Sequence, residues 1–542
     1  MPETQRGEDH SVTERQWWQE AVIYQIYPRS FCDSTGDGVG DLQGILSRVD
    51  YLDWLGVDAV WLSPIFPSPM ADFGYDVSDY TDVDPIFGSL DDLFALRDEL
   101  HRREMKLILD LVPNHTSEEH PWFVDSRSSR QSEKRDWYLW KDPASGGGPP
   151  TNWLSVFGGS AWEWDEQTGQ YYYHAFLKEQ PDLNWRNPEV REAMFDVIRF
   201  WLDRGIDGFR IDVIWHLVKD DSWRDNPRDE TFRPGEAAGF RSQRQIYNTD
   251  RPEVHEVIRE MRDVFDEYAD RVMIGEIYLP VERLVRYYGE KGEGVHVPYN
   301  FHLILSPWDA REIRDLVLAY EALIPEDGWP SWVLGNHDKS RVATRVGSAQ
   351  ARVAAMMLLT LRGTPTIYYG DEIGMHDVPV SPDAVHDPAE KNEPGVGAGR
   401  DPQRTPMQWS DAVNGGFTDG DPWLPLPDDL DRLNVKAEEN DERSMLSLYR
   451  ALISIRRERP ALRRGSHAPL PATGDVLAWI RKSGSQRIMI VLNLSGTKQS
   501  YDLGGRDLSG SILLSTHLDR EGKIEPPIEL RPDEGLVVDL QW

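Results

Sequence analysis

Three acidic residues, Asp212, Glu276 and Asp338, each stand at or just after the end of a short apolar run that reads as a β-strand. Their settings are Gly208-Phe209-Arg210-Ile211-Asp212, Val272-Met273-Ile274-Gly275-Glu276 and Leu334-Gly335-Asn336-His337-Asp338. A carboxylate ending a buried strand points into the cleft beyond the sheet, and three from well-separated strands converge only if the sheet closes on itself. Paired carboxyl groups there suit cleavage of a glycosidic bond, one attacking the anomeric carbon and one protonating the leaving oxygen. Arg210 lies two residues before Asp212 on the same strand face and is expected to keep it ionised. Glu276 has no cation adjacent in sequence, and partial burial would raise its pKa as a general acid requires. Any one such carboxylate is more often a strand-end or cap residue; three in matching context point to chemistry.

The elements that must position them follow a regular rhythm. Strand-like runs at Ala21–Tyr27, Ala59–Leu62 and Leu107–Val112 alternate with helical stretches at Ile45–Leu55 and Leu90–Arg103. Strand followed by helix, repeated, predicts a parallel sheet with crossover helices. The rhythm then breaks over residues 113–185, rich in Gly, Pro, Ser and aromatics, which reads as an inserted subdomain B. It resumes with a helix over Pro188–Arg204 and the strand ending at Asp212. Val272–Glu276, His296–His302, Trp332–Gly335 and Thr366–Tyr369 complete a set of eight strands, the number that closes a (β/α)₈ TIM barrel. The barrel is assigned to 17–112 and 186–463, with a loop subdomain at 370–427 and Pro460 stopping a helix over Ser444–Glu458. Short alternating runs over 464–542 predict a C-terminal antiparallel β-domain, and residues 1–16 form a polar leader.

Composition narrows the classes. Of the 542 residues, 39% are hydrophobic and 28% charged, a balance with ample material for a globular core. A net charge of -34 repels polyanions, so nucleic acid and anionic membrane are excluded as partners. Cys32 is the single cysteine, the leader lacks an apolar secretory segment, and the expected location is the cytoplasm. A monomer or homodimer acting on a small oligosaccharide fits these limits.

The motifs, taken in order, strongly resemble the α-amylase family, glycoside hydrolase family 13, and most of all its α-glucosidase and oligo-1,6-glucosidase branch. The segments carrying the likeness are Asp110-Leu111-Val112-Pro113-Asn114-His115, Gln180-Pro181-Asp182-Leu183-Asn184 and the three acidic cassettes. The resemblance implies that Asp212 is the nucleophile, Glu276 the acid/base and Asp338 the carboxylate holding the sugar hydroxyls. It implies that His115 and His337 donate to the same glucose and that Tyr75 stacks beneath it. Asp72 and Arg404 would meet at the bottom of the pocket, walling off further sugars and making the enzyme exo-acting. Phe157 and Phe176 either wall the pocket near the scissile bond or pack the core.

Two further implications concern linkage and metal. In this branch valine after the nucleophile accompanies α-1,6 preference, and Val213 stands there, although Trp215 fits neither linkage subgroup. The loop from Asp33 to Asp41 offers oxygen donors around tight glycine turns, suited to a hard structural cation such as Ca²⁺ or Mg²⁺. It is no EF-hand, because Gly44 stands where the bidentate Glu belongs. By resemblance the ligands are Asp33, Thr35, Asp37, Asp41 and the Val39 carbonyl; no cofactor is expected for catalysis. The expected activity is therefore a retaining exo-α-glucosidase, the alternative being a sucrose or maltose isomerase or transglucosidase of the same family. A catalytically dead binding subunit is disfavoured, since all three acids are kept.

Overall fold

The computed structural model describes residues 16–235, 237–502 and 509–541. The polar leader, apart from Gln16, lies outside the described residues. Eight parallel strands form the central sheet: β1 Ile23–Ile26, β2 Ala59–Leu62, β3 Lys106–Leu111, β4 Gly208–Ile211, β5 Val272–Ile277, β6 Val297–Asn300, β7 Ser331–Val333 and β8 Thr364–Tyr368. Ladder hydrogen bonds run continuously from β7 through β8 and β1 to β6. The remaining seam is bridged by a side chain. Ser331 Oγ donates to the Pro298 carbonyl at 2.9 Å and accepts from the Asn300 N–H at 3.3 Å. The expected barrel is thus present.

Register and parity place the acids. Ile211 pairs with Gly275 and Asp110 pairs with Arg210, so Asp212 and Glu276 stand level on neighbouring strands, one layer above Arg210. Inward positions of the lower layers are apolar, with Ile23, Ala59, Trp61, Ile108, Val272, Ile274, Val297 and Tyr299 forming the barrel's own core. Outward positions such as Leu107, Leu109, Phe209 and Met273 belong to the larger core beneath the helices. Side chains alternate along a strand, so the same parity that buries Ile274 inside the barrel carries Glu276 to its upper mouth.

The helices follow the sequence with local differences. Leu90–Arg102 begins with a capping box in which Ser89 accepts from Asp92 N–H and the Asp92 carboxylate accepts from Ser89 N–H. The stretch expected as one helix over Ile45–Leu55 is two, Leu42–Leu46 and Val49–Leu55. Asp41 caps the first by accepting from Gly44 N–H. Pro460 ends the helix Met445–Glu458 but also opens another, Pro460–Arg464, because its fixed φ suits a first helical position.

The insertion carries a three-stranded antiparallel sheet in the order Trp140–Lys141, Gln170–Tyr173, Trp162–Asp165. The C-terminal domain is a six-stranded antiparallel sheet running from Ser466–Pro469 to Lys523–Ile524, with a two-stranded sheet beside it. It docks on the barrel through Arg481, which donates to the Thr360 carbonyl at 2.7 Å, and through Gln350, which donates to Asp533 at 2.6 Å.

Gly208 marks a close approach of β4 to β5, where a Cβ would collide with the Val272 carbonyl and side chain. Gly208→Ala is therefore expected to cost about 1–3 kcal/mol of stability by overpacking. Gly146→Ala, at an open position, should shift the denaturation midpoint little; equal shifts for both would contradict the account.

Candidate active site

Arg210 lies on the floor of the barrel mouth, 1% exposed, and touches three carboxylates. Its Nη1 lies 2.9 Å from Asp110 Oδ1 and 2.7 Å from Asp212 Oδ1, and its Nη2 lies 2.8 Å from Glu276 Oε2. One planar group thus spans the expected nucleophile and the expected acid/base. Glu276 Oε2 also accepts the Val213 N–H at 2.9 Å. That N–H is aimed by a left-handed backbone at Val213, with φ 37° and ψ 44°, a conformation that a β-branched residue adopts only at a cost. Close carboxyl groups bridged in this way match a nucleophile and acid/base pair. An inverting pair needs a wider gap for water.

Asp338 belongs to a second ionic group. Arg404 Nη2 reaches Asp338 Oδ1 at 2.9 Å, Arg400 Nη1 lies 3.5 Å from the same oxygen, and His337 Nε2 lies 3.4 Å from Oδ2. Arg400 Nη2 also holds Asp72 at 2.6 Å and Asp387 at 2.7 Å. The expected meeting of Asp72 with Arg404 therefore needs correction: the partner of Asp72 is Arg400, four residues earlier in the chain. Arg404 instead donates to the His337 carbonyl at 2.8 Å and sits over the Tyr27 ring. Neither Arg404 nor Arg210 lines the cavity; each stands behind the acids that do.

The cavity has a volume of about 930 Å³, of the size that small-molecule sites have. Asp72, Tyr75, His115, Asp212, Glu276, His337 and Asp338 line it, and Phe157 and Phe176 form a wall with ring centroids 5.7 Å apart. Tyr75 is stacked on His337, with 5.4 Å between centroids, and their Oη and Nε2 atoms lie 2.7 Å apart. Gln25 donates to the other His337 nitrogen at 2.8 Å, so Nε2 carries the proton. Burial drives both His115 and His337 down to about 3, which makes them neutral donors at physiological pH.

The carboxyl groups divide by their cations. Burial raises Asp338, but His337, Arg400, Arg404 and Arg210 outweigh it and hold the group well below the usual range. Burial raises Glu276, and the nearby Asp338 charge adds to it, against Arg210, the Val213 N–H and a hydrogen bond from Asp212. Asp212 is also raised, by burial first and by Glu276 and Asp110 next, against Arg210. The expectation that Arg210 keeps Asp212 ionised is thus too simple, because that guanidinium is shared. Asp110, pushed up to about 7 mainly by burial, is the third sharer and was not singled out from the sequence. Its signal was its place at the end of β3, level with Arg210.

The other residues missed are Arg400, Asp387 and contributors of a long irregular excursion between β4 and the helix Val254–Asp266, among them Ala238, Phe240 and Arg241, which line the cavity together with the already noted Trp215. The proposed cation ligands are not gathered. Asp33 accepts from Thr35, Gly36, Gly38 and Thr418, Asp41 from Ser34 and Gly44, and Asp37 from Val39. Among the described residues no group of three or more acidic, His or Cys side chains is placed to hold a metal. The loop's donor set is chemically suited to a hard cation, but its carboxylates are turned onto the loop's own N–H groups.

An eight-stranded barrel with paired acids at its upper mouth, bordered by neutral histidines and aromatic walls, defines a carbohydrate-cleaving barrel enzyme. The chain belongs to the α-amylase family, whose catalytic-domain model ("Alpha amylase, catalytic domain") matches residues 25–465. It is 40% identical over 506 residues to the "Alpha-glucosidase" of Culex pipiens, covering 90% of this chain and 84% of that one. To the "Oligo-1,6-glucosidase" of Parageobacillus thermoglucosidasius it is 38% identical over 569 residues, covering 97% and 100%. Among solved structures it resembles the alpha-glucosyl transfer enzyme XgtA, with a TM-score of 0.89, 40% identity and coverage of 97% and 100%.

Lys339 lies 5.5 Å over the Tyr278 ring and faces Glu276 and Asp338. Lys339→Met removes a positive charge beside Glu276, so the acid should keep its proton to higher pH. The alkaline limb of the kcat/KM profile is expected to move up by about half to one pH unit. An unmoved limb, or one shifted to lower pH, would count against this electrostatic assignment.

Proposed function

We propose that the protein is a retaining, exo-acting α-glucosidase that removes terminal glucose from short α-linked oligosaccharides. The observation that carries the reading is the ionic chain Asp72–Arg400–Asp338–Arg404 beside the Asp212–Glu276 pair. Buried charges fill the deep end of the cavity where a longer chain would have to pass, leaving room for one terminal sugar. Asp72 and the Asp338 carboxylate, both fixed by arginine, are suited to bind its hydroxyl groups.

The steps follow from the geometry. Asp212 attacks the anomeric carbon while Glu276 gives its proton to the leaving oxygen, forming a β-glucosyl ester. Glu276, now a carboxylate, takes a proton from water, whose oxygen displaces Asp212 and restores α-glucose. Asp338, held ionised, accepts from the sugar's hydroxyls and steadies the positive charge that grows on the ring. The raised Glu276 suits an acid that must be protonated near neutral pH. Val213, following the nucleophile, favours α-1,6 bonds, as in isomaltose, over α-1,4. The single buried Cys32 fits a reducing compartment, and we assign the enzyme to the cytoplasm.

Asp212→Asn and Glu276→Gln should each lower kcat on disaccharides by at least about 10³-fold, with the folded state retained by circular dichroism. Product analysis on maltose, isomaltose, sucrose and trehalose should show free α-glucose rather than rearranged disaccharides. Near-normal hydrolysis by either variant removes the mechanism; a large kcat/KM excess for maltose over isomaltose removes the valine argument alone.

A further inference from the structure

A second cavity, of about 960 Å³, lies at the pole of the barrel opposite the catalytic acids. Ala21 and Val22 before β1, Val57 and Asp58 before β2, and Met105 and Lys106 at the start of β3 place it at the N-terminal ends of the strands. The helices Trp17–Glu20, Met445–Glu458 and Pro460–Arg464 supply most of the rest of its wall. No step of the hydrolytic mechanism uses it.

Its charge runs against that of the chain as a whole, in which 93 acidic residues outnumber 59 basic ones. On the helical wall Arg456, Arg457, Arg463 and Arg464 face only two carboxylates, Glu20 and Asp58. Glu20 is shared, with one oxygen on Arg463 Nη2 and the other 3.8 Å from Arg464 Nη1. Asp58 receives Arg457 Nη2 at 3.0 Å on one oxygen and the Val22 N–H at 2.8 Å on the other. Arg456, 1% exposed, has no carboxylate partner among the described residues. Its Nη groups donate to the carbonyls of Leu359, Leu361, Leu462 and Gly363, and its Nε is buried with no partner. The Arg463 Nε is likewise buried and unpartnered. The facing wall is already compensated, since Asp50, Asp53 and Glu99 hold Arg103 and Asp207 holds Lys106.

A guanidinium buried without a counter-charge is costly, and an anion brought to this wall from outside the chain lowers that cost. Four arginines against two carboxylates leave a deficit of roughly two negative charges, which is what a phosphate monoester carries near neutral pH. Guanidinium forks suit its oxygens. Trp17, Val22, Val57, Met105 and Ile453 line the same space, and the Trp17 ring is fixed by its Nε1–H, which donates to the Asp270 carbonyl at 3.0 Å. The volume is that of a small-molecule site, far beyond the needs of a lone ion.

We propose that this cavity binds a small organic phosphate, with the phosphate on Arg457, Arg463 and Arg464 and a flat apolar body against Trp17. Bound there, the ligand ties the helix Trp17–Glu20 to the strand starts and to the helix pair that leads into the C-terminal domain, and it stabilises the folded state by mass action. The proposal is independent of the glucosidase reading, because none of the three catalytic acids lines this cavity.

The test is calorimetric titration of the full chain with adenosine monophosphate and, separately, with inorganic phosphate, at an ionic strength fixed by potassium chloride. Adenosine monophosphate should bind one-to-one and about tenfold more tightly than inorganic phosphate, the scale of one aromatic stacking contact. Arg464→Gln and Trp17→Ala should each weaken that binding by about tenfold. Circular dichroism checks that both variants are folded; the Arg464 side chain is 49% exposed, so its variant carries the test should Trp17→Ala fail to fold. The proposal is overturned if adenosine monophosphate does not bind, if inorganic phosphate binds as tightly, or if Arg464→Gln leaves the affinity unmoved.

Discussion

Arg210 contacts Asp110, Asp212 and Glu276 while almost fully buried, and the disposition of the catalytic acids depends on how that one positive charge is divided. Breaking such a buried arrangement by removing one partner costs about 3–5 kcal/mol, because the remaining charges are left uncompensated. Three carboxylates on one cation cannot all be ionised at little cost, so burial wins and their proton affinities rise. Asp338 has two arginines beside it and is driven the opposite way. The number of cations per carboxylate thus sets the charged Asp338 apart from the trio that shares Arg210.

The backbone serves the same end. Val213 is held at φ 37°, a conformation that costs a β-branched residue on the order of 1–3 kcal/mol. In return its N–H is aimed at Glu276 and fixes the carboxyl that must deliver a proton. Such strain persists because β3, β4 and β5 clamp the segment on both sides through a continuous ladder. The scaffold supplies rigidity where the site demands an unfavourable turn.

The sequence was most informative where local pattern and chemistry coincide. Asp212, Glu276 and Asp338 could be placed because each follows a short buried run, and the eight-strand count followed from apolar runs separated by helical periodicity. Element ends were less legible: Pro460 stops one helix and starts another, and only tertiary context distinguishes those roles. The choice between Arg400 and Arg404 was invisible because they stand four residues apart in one irregular excursion, and which arginine reaches Asp72 depends on a chain crossing from a loop more than three hundred residues away. The sharing of Arg210 among Asp110, Asp212 and Glu276 was hidden for the same reason. Adjacency in sequence shows a neighbour but not how many others share it. The Asp33–Asp41 loop shows a related limit, since spacing gives candidate donors while their direction is set by competing backbone N–H groups.

The two ends of the cavity are built by different parts of the chain, and this separates what they can vary. The reacting centre hangs from strand ends, where register and parity fix Asp110, Arg210, Asp212 and Glu276 relative to one another. Other parts of the cavity wall are formed by residues beyond those ends, with Trp215 and Phe240 on the excursion after β4 and Leu305 at the end of the short helix His302–Leu305. Changing a loop side chain there need not disturb the ladder that aligns the acids, whereas moving a strand by one residue would turn every acid away from the mouth. Bond-breaking chemistry is therefore constrained by the sheet, and the preference for what departs or arrives is constrained by the loops.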